Sequence, residues 1–403
     1  LVARGPQFSF LNTEASDPAS VYQFTIANNE NVKEVWDISD PINPKKLSNE
    51  GDANNFVFKA YGGVKSYTVL GSEAFFIPES IDDNVVINQN LHGLRDIDYL
   101  IISQEFLMSE AERLAEYHRE KSGLKVAVVD LEEIYNEFGS GAPDLTAIRD
   151  FIRFLYINAS NDQSRIRYVC LFGDASFDFK DRITDNNNII PAFQSYESFN
   201  LATGYVTDDY FGMMDGNEGK LESFDMQDVA LGRYPVSSLK EARETLDKTL
   251  NYYASESFGG WRNTLTFVAD DPDNLGEFVL QQALDRITEE VEEEKPSFNI
   301  KKIYADAHRQ ESSAGGELYP TVNTAINNAV ETGTLILDYF GHGGVNGWAE
   351  ERILEVPQIQ SWNNLKSLPL FITVTCEFAR FDNPSRPTAG EYTFWSPKGG
   401  ASH

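Results

Sequence analysis

The 403-residue chain holds only two cysteines, Cys170 and Cys376. No disulfide framework therefore staples the fold, and cysteine usage leaves the compartment open. Basic residues are scarce as well: 33 Lys and Arg stand against 63 Asp and Glu, a net charge of −30. That sign opposes non-specific binding to phosphate backbones and excludes nucleic acid as an expected partner. Long apolar runs are missing too. The longest, residues 368–375, has Pro369 inside it, whereas a membrane-spanning helix needs roughly twenty apolar residues, so no transmembrane segment is expected. No initiating Met and no charged-then-apolar leader precedes Leu1, as in a processed mature protein or a chain with its leader removed. Residues 397–401 read as a turn leading into another buried strand, which suggests a longer native protein and an unfinished second α/β unit.

What is present is a globular composition, 41% hydrophobic with 27 Phe and 18 Tyr, long enough for several domains. Residues 1–95 alternate as short strands (Tyr22, Phe24 and Ile26; Phe56 and Phe58; residues 66–70) between turn clusters such as Asp40-Pro41 and Tyr61-Gly62-Gly63, which predicts an N-terminal β domain. After Arg95 the rhythm becomes strand, helix, strand. Strands are expected at 98–103, 125–130, 168–174, 209–214 and 229–235, with helices near 107–122, 145–156 and 238–253. A second unit, 259–403, repeats the alternation with strands at 264–269, 301–305, 334–340 and 368–375 and helices near 277–294 and 320–331. The expected fold class is α/β: two α/β subdomains, 96–258 and 259–403, behind the β domain.

Two strands of the second unit end in loops that carry chemistry. Residues 335–340 run into Gly341-His342-Gly343-Gly344, and residues 371–375 run into Cys376. Reacting groups gather at the carboxyl edge of open parallel sheets, so adjacent strands would present His342 and Cys376 side by side. A thiol is only partly ionised at neutral pH, and a neighbouring imidazolium stabilises its thiolate. Cys376 would attack and His342 would shuttle protons. Glycines around His342 let the backbone bend and bring a bare N–H toward a reacting carbonyl, which makes Gly343, with the Cys376 N–H, the candidate oxyanion hole. Taken singly, a core cysteine and a surface turn are the simpler readings; the conjunction favours the catalytic one. Cys170 lies inside an apolar run rather than at its exit and reads as core. His118 shares an apolar helix face and reads as structural.

Tyr-Phe-Gly-His-Gly-Gly, followed 34 positions after the histidine by Thr-Cys-Glu-Phe, resembles the gingipain-type cysteine peptidases (family C25) of the caspase-like clan. Thr207-Asp208-Asp209-Tyr210-Phe211 and Ala230-Leu231-Gly232-Arg233-Tyr234-Pro235 are similar to the family's first subdomain, and the match spans roughly residues 96–401. The resemblance implies two caspase-like subdomains, with His342 and Cys376 in the second. It also implies a carboxylate that orients the histidine, for which Glu197 matches best, with Asp174 and Asp178 as runners-up. An acid near Asp208 would belong to a pocket for basic side chains. Trp348 is a candidate wall of the substrate cleft, a core tryptophan being the alternative.

The strand-rich amino-terminal segment resembles the sortase-like branch of the family that serves type IX secretion. That branch implies protein substrates with C-terminal secretion signals, other type IX secretion components as partners, and an exported, outer-membrane-associated location at the cell surface. A secreted Arg- or Lys-directed endopeptidase and a non-catalytic surface scaffold are the alternatives. No cofactor is required by this chemistry, and the family allows a structural calcium ion. Asp271-Pro272-Asp273-Asn274-Leu275-Gly276 resembles the start of a calcium loop but has Leu275 and Gln282 where an EF-hand needs ligands.

Overall fold

The computed structural model describes residues 1–75, 77, 86–197, 200, 203–222, 224–272, 276–313 and 316–402. Asp273, Asn274 and Leu275 of the calcium-like segment, and His403, lie outside them. The chain divides into two compact units, Leu1–Asn88 and Gln89–His403.

The first unit is antiparallel β. Strands β1 (Gln7–Leu11), β3 (Glu34–Asp37), β4 (Lys45–Lys46) and β6 (Ser66–Leu70) form a sheet in the order β1-β6-β3-β4, and β2 (Val21–Ala27) pairs with β5 (Asn55–Tyr61). Alternation sends Phe24, Ile26, Phe56 and Phe58 inward to meet Val35, Tyr67 and Val69, with Phe24 stacked on Phe58 at 4.9 Å between ring centres. Residues 89–95, read from the sequence as part of this domain, belong to the second unit, where Leu91 is buried in the core.

The second unit holds two parallel four-stranded sheets. The first is built from β7 (Tyr99–Ser103), β8 (Val126–Asp130), β9 (Tyr168–Phe172) and β12 (Ala230–Tyr234), in the order β12-β9-β7-β8. One short pairing intervenes: β10 (Phe193–Gln194) with β11 (Val206–Thr207). Helices α1 (Met108–Lys121), α2 (Leu131–Phe138), α3 (Leu145–Ile157) and α4 (Leu239–Tyr252) accompany this sheet. Asp130, Asp144 and Ser238 cap α2, α3 and α4 by accepting first-turn amides, which supplies partners to N–H groups that have none within the helix. Leu100, Ile101 and Ile102 are all fully buried, as expected of a parallel strand covered on both faces.

The second sheet comprises β13 (Thr264–Ala269), β14 (Asn299–Tyr304), β17 (Ile336–Phe340) and β21 (Leu370–Val374), in the order β14-β13-β17-β21. Its helices are α5 (Phe278–Glu294), α6 (Pro320–Thr332), α7 (Val356–Ser361) and α8 (Ala389–Trp395). Leu265, Phe267 and Ala269 pack with Leu284 of α5, while Val268 turns to the opposite core with Leu337, Tyr339 and Trp348. A hairpin of β15 (Glu311–Ser313) and β16 (Gly316–Leu318) and a small sheet of β18 (Gly343–Gly344), β19 (Gly347–Trp348) and β20 (Leu354–Glu355) complete the unit. The strand expected at 209–214 is instead a short 3-10 turn, Asp209–Gly212.

Candidate active site

The site forms where β17 and β21 end. The strands are parallel neighbours with Phe340 opposite Val374, and the Gly341 N–H donates to the Val374 carbonyl at 3.3 Å. His342 and Cys376 each lie two residues beyond that last pair, so they leave the carboxyl edge together on strands about 4.8 Å apart. A Cβ on Gly343 would sit 2.4 Å from Thr375 Oγ1; the glycine lets the histidine loop pass directly over the residue before Cys376. Both side chains reach solvent, Cys376 exposed and the His342 side chain 48% exposed. Cys170 is the opposite case, buried, its thiol pushed up to about 12 by burial.

The histidine loop is clamped through its backbone. The His342 N–H donates to Asp270 Oδ2 at 2.8 Å. Its carbonyl accepts from the Tyr339 hydroxyl at 2.6 Å and from the Ala349 N–H at 2.8 Å. Asp270 follows β13, the strand beside β17, and burial pushes its carboxyl up to about 6 against the opposing pull of the His342 N–H.

The imidazole Nε2 lies 3.6 Å from Glu277 Oε1. Glu277 immediately precedes α5 and comes from the loop that leaves β13. It is therefore Glu277, and not Glu197, that the structure brings to His342. Glu197 is exposed and forms no ion pair with the histidine. The runners-up are structural: buried Asp174 accepts from the Ala175 N–H and the Ser237 hydroxyl, and Asp178 accepts from the Ile183 N–H. The signal for Glu277 was in the sequence, because β13 also exits at this sheet edge and its loop carries Asp270, Asp271 and Glu277.

Two expected substrate contacts are placed elsewhere. Asp208 forms a two-pronged ion pair with Arg233, both contacts at 2.7 Å, and the Arg233 side chain is 5% exposed. Its charge is already matched, so it offers none to a basic substrate. Trp348 is fully buried, stacked on Tyr339 at 4.3 Å: a core tryptophan, because the apolar floor beneath the histidine loop needs that ring. Gly343 pairs with Trp348 in the β18–β19 ladder. Beside the Cys376 loop a cavity of about 450 Å³ opens among Asn346, Arg352, Glu355, Glu377 and Arg386, with the buried Trp348 behind its wall. Carboxylate oxygens of Asp270, Asp271 and Glu351 all lie within 4.8 Å of one another. This all-oxygen set fits a hard cation such as calcium rather than a metal that seeks sulfur or imidazole.

The sequence profile of Peptidase family C25 matches residues 92–403. The chain belongs to peptidase family C25. A crystal structure of dimeric latent PorU from Porphyromonas gingivalis is similar at 28% identity and a TM-score of 0.54, covering 65% of this chain and 26% of that one. The Arg-specific cysteine proteinase gingipain R is similar at 17% identity and a TM-score of 0.55, covering 76% of this chain and 61% of that one. The complex of the pro- and mature domains of Porphyromonas gingivalis RgpB gives 18% identity and a TM-score of 0.53, over 75% and 62%. No curated protein matches by sequence. The chain thus spans about a quarter of the PorU chain and about three fifths of gingipain R. The C25 fold, parallel α/β sheets of caspase-like type, is the one observed here, and its peptidases are cysteine peptidases.

Proposed function

We propose that this chain carries the catalytic unit of a sortase-like cysteine peptidase. The observation that carries the reading is the shared exit of β17 and β21, which delivers an exposed thiol and a half-exposed imidazole to one sheet edge. Cys376 Sγ attacks the peptide carbonyl carbon as its proton passes to His342. The resulting oxyanion is met by the N–H groups of Gly343 and Cys376, and His342 then protonates the leaving amine. The thioester left on Cys376 is resolved by water or by a second amine, and Glu277 holds the imidazole in the productive orientation.

The substrates are exported proteins with C-terminal secretion signals, met at the cell surface by an outer-membrane-associated enzyme working with other type IX secretion components. Similarity to PorU at 28% identity supports this branch over the Arg-directed one, and so does the closed Asp208–Arg233 pair. The test is to incubate the protein with a cargo protein bearing its C-terminal signal and a small amine, and to weigh the products. Signal removal with amine capture, abolished by Cys376→Ala, is expected. Cleavage by the Cys376→Ala variant would overturn the chemistry, and hydrolysis without capture at any amine concentration would reduce the enzyme to a plain endopeptidase.

A further inference from the structure

Helix α8 links the two loops that carry His342 and Cys376. Its first-turn amides have no partners within the helix, and two of them are used on these loops. The Ala389 N–H donates to the Val345 carbonyl and the Gly390 N–H to the Phe378 carbonyl, both at 2.8 Å. Val345 lies three residues after His342, and Phe378 two after Cys376. The approach is close: a Cβ on Gly390 would lie 2.7 Å from both the Phe378 carbonyl oxygen and the Ala379 Cβ. A capping box of Thr388 and Glu391 fixes this end of the helix.

The other end of α8 is held from the first sheet's side of the unit. Lys248 on α4 is 1% exposed, and its ammonium donates to the carbonyls of Thr393 at 3.2 Å, Gly399 at 3.3 Å and Phe394. When protonated, its three hydrogens meet three acceptors at a helix C-terminus, where positive charge is favoured. Trp395 Nε1 adds a bond to the Pro235 carbonyl at 2.5 Å. A lysine is a costly way to fill a buried site, since burial disfavours the charge and an apolar side chain of similar volume often serves stability as well or better.

We infer that Lys248 is a positioning residue: by capping α8 from α4 it fixes the helix's amino end on Val345 and Phe378, and so holds the His342 and Cys376 loops at their working separation. The first α/β half, which also touches the loop after Cys376 through the Phe177 N–H on the Asp382 carbonyl, would act on the site through this helix. The inference rests on the dyad reading above.

The test compares wild type, Lys248→Met and Cys376→Ala, each below its melting temperature. The readouts are kcat and KM for cleavage of the signal-bearing cargo and the rate at which iodoacetamide labels Cys376 at neutral pH. Lys248→Met keeps the side-chain length and removes every donor. A tenfold or greater fall in kcat, with KM within about twofold and slower labelling, is expected. A folded Lys248→Met protein with wild-type kcat and labelling would overturn the role. If that variant does not fold, Trp395→Phe removes the neighbouring bond from α8 to Pro235 and should lower kcat at least threefold; unchanged kcat there counts against the role equally. Activity surviving in Cys376→Ala would instead reject the dyad, a separate result.

Discussion

Asp208 and Arg233 show how a residue's partner decides its role. The pair is nearly solvent-free, with side-chain exposures of 14% and 5%, and Arg233 also donates to the carbonyls of Gly173 and Ile190. Removing one member strands the other, which costs about 3–5 kcal/mol. Asp208→Asn should therefore lower the melting temperature measured by calorimetry while leaving the residue preference before the cut bond unchanged; an altered preference in a peptide library would restore Asp208 to the substrate pocket. Glu277→Gln keeps the shape and removes the charge beside His342. It should cut kcat by about tenfold to a hundredfold, less than His342→Ala, since general acid–base catalysis as a whole supplies ~10²–10⁴, whereas Glu197→Gln should leave kcat unchanged. The shared sheet edge of Cys376 and His342 was legible because each stands at the exit of an apolar strand, one of them among glycines. The carboxylate beside the histidine was only half legible: the exit of β13 points to its loop, but no spacing rule singles out Glu277, 65 positions before His342. Asp208 misled because the arginine that neutralises it lies 25 positions downstream.

At the scale of elements, the site depends on how closely the loop after β17 passes the end of β21. Gly343→Ala places a methyl group against Thr375, whose Oγ1 and Cγ2 would lie 2.4 and 3.2 Å from it, so rotating the threonine does not relieve the clash. A loss of at least tenfold in kcat is expected, with partial recovery in the Gly343→Ala/Thr375→Ala double variant. Failure of the second change to recover anything would mean that the glycine matters for another reason. The long strands and helices were readable because their apolar periodicity is strong; the strands of both parallel sheets stand close to where the pattern put them. Helix α8 escaped notice because seven residues with a glycine and three aromatics carry little helix propensity. Its Thr388-x-x-Glu391 capping box was nevertheless written in the sequence. The turn at Asp209–Gly212 was mistaken for a strand because a short apolar run has the same composition in either state.

Across the whole molecule, a net charge of −30 repels itself at neutral pH, and buried acids add to the effect. Burial first, with Asp174 and Asp382 nearby, pushes Glu391 up to about 7, and burial pushes Asp174 up to about 6. A carboxyl with a raised folded pKa holds its proton more tightly in the folded chain. Between the ordinary carboxylate range and these raised values the folded state binds the extra protons, so stability falls as pH rises from about 4 to about 7. Lys248, drawn down to about 7 by burial, works in the opposite sense only above that pH. The melting temperature should accordingly be higher at pH 5 than at pH 7.5, and Glu391→Gln should shrink the difference; an unchanged pH slope in the variant would remove Glu391 from the explanation. The central claim, that His342 activates Cys376 across the ends of β17 and β21, is tested most directly by timing iodoacetamide labelling of Cys376 at pH 7 in wild type and in His342→Ala. The account predicts rapid labelling in wild type and a rate at least tenfold lower without the imidazole, because the thiolate is the reacting species. Equal rates in the two proteins would contradict it.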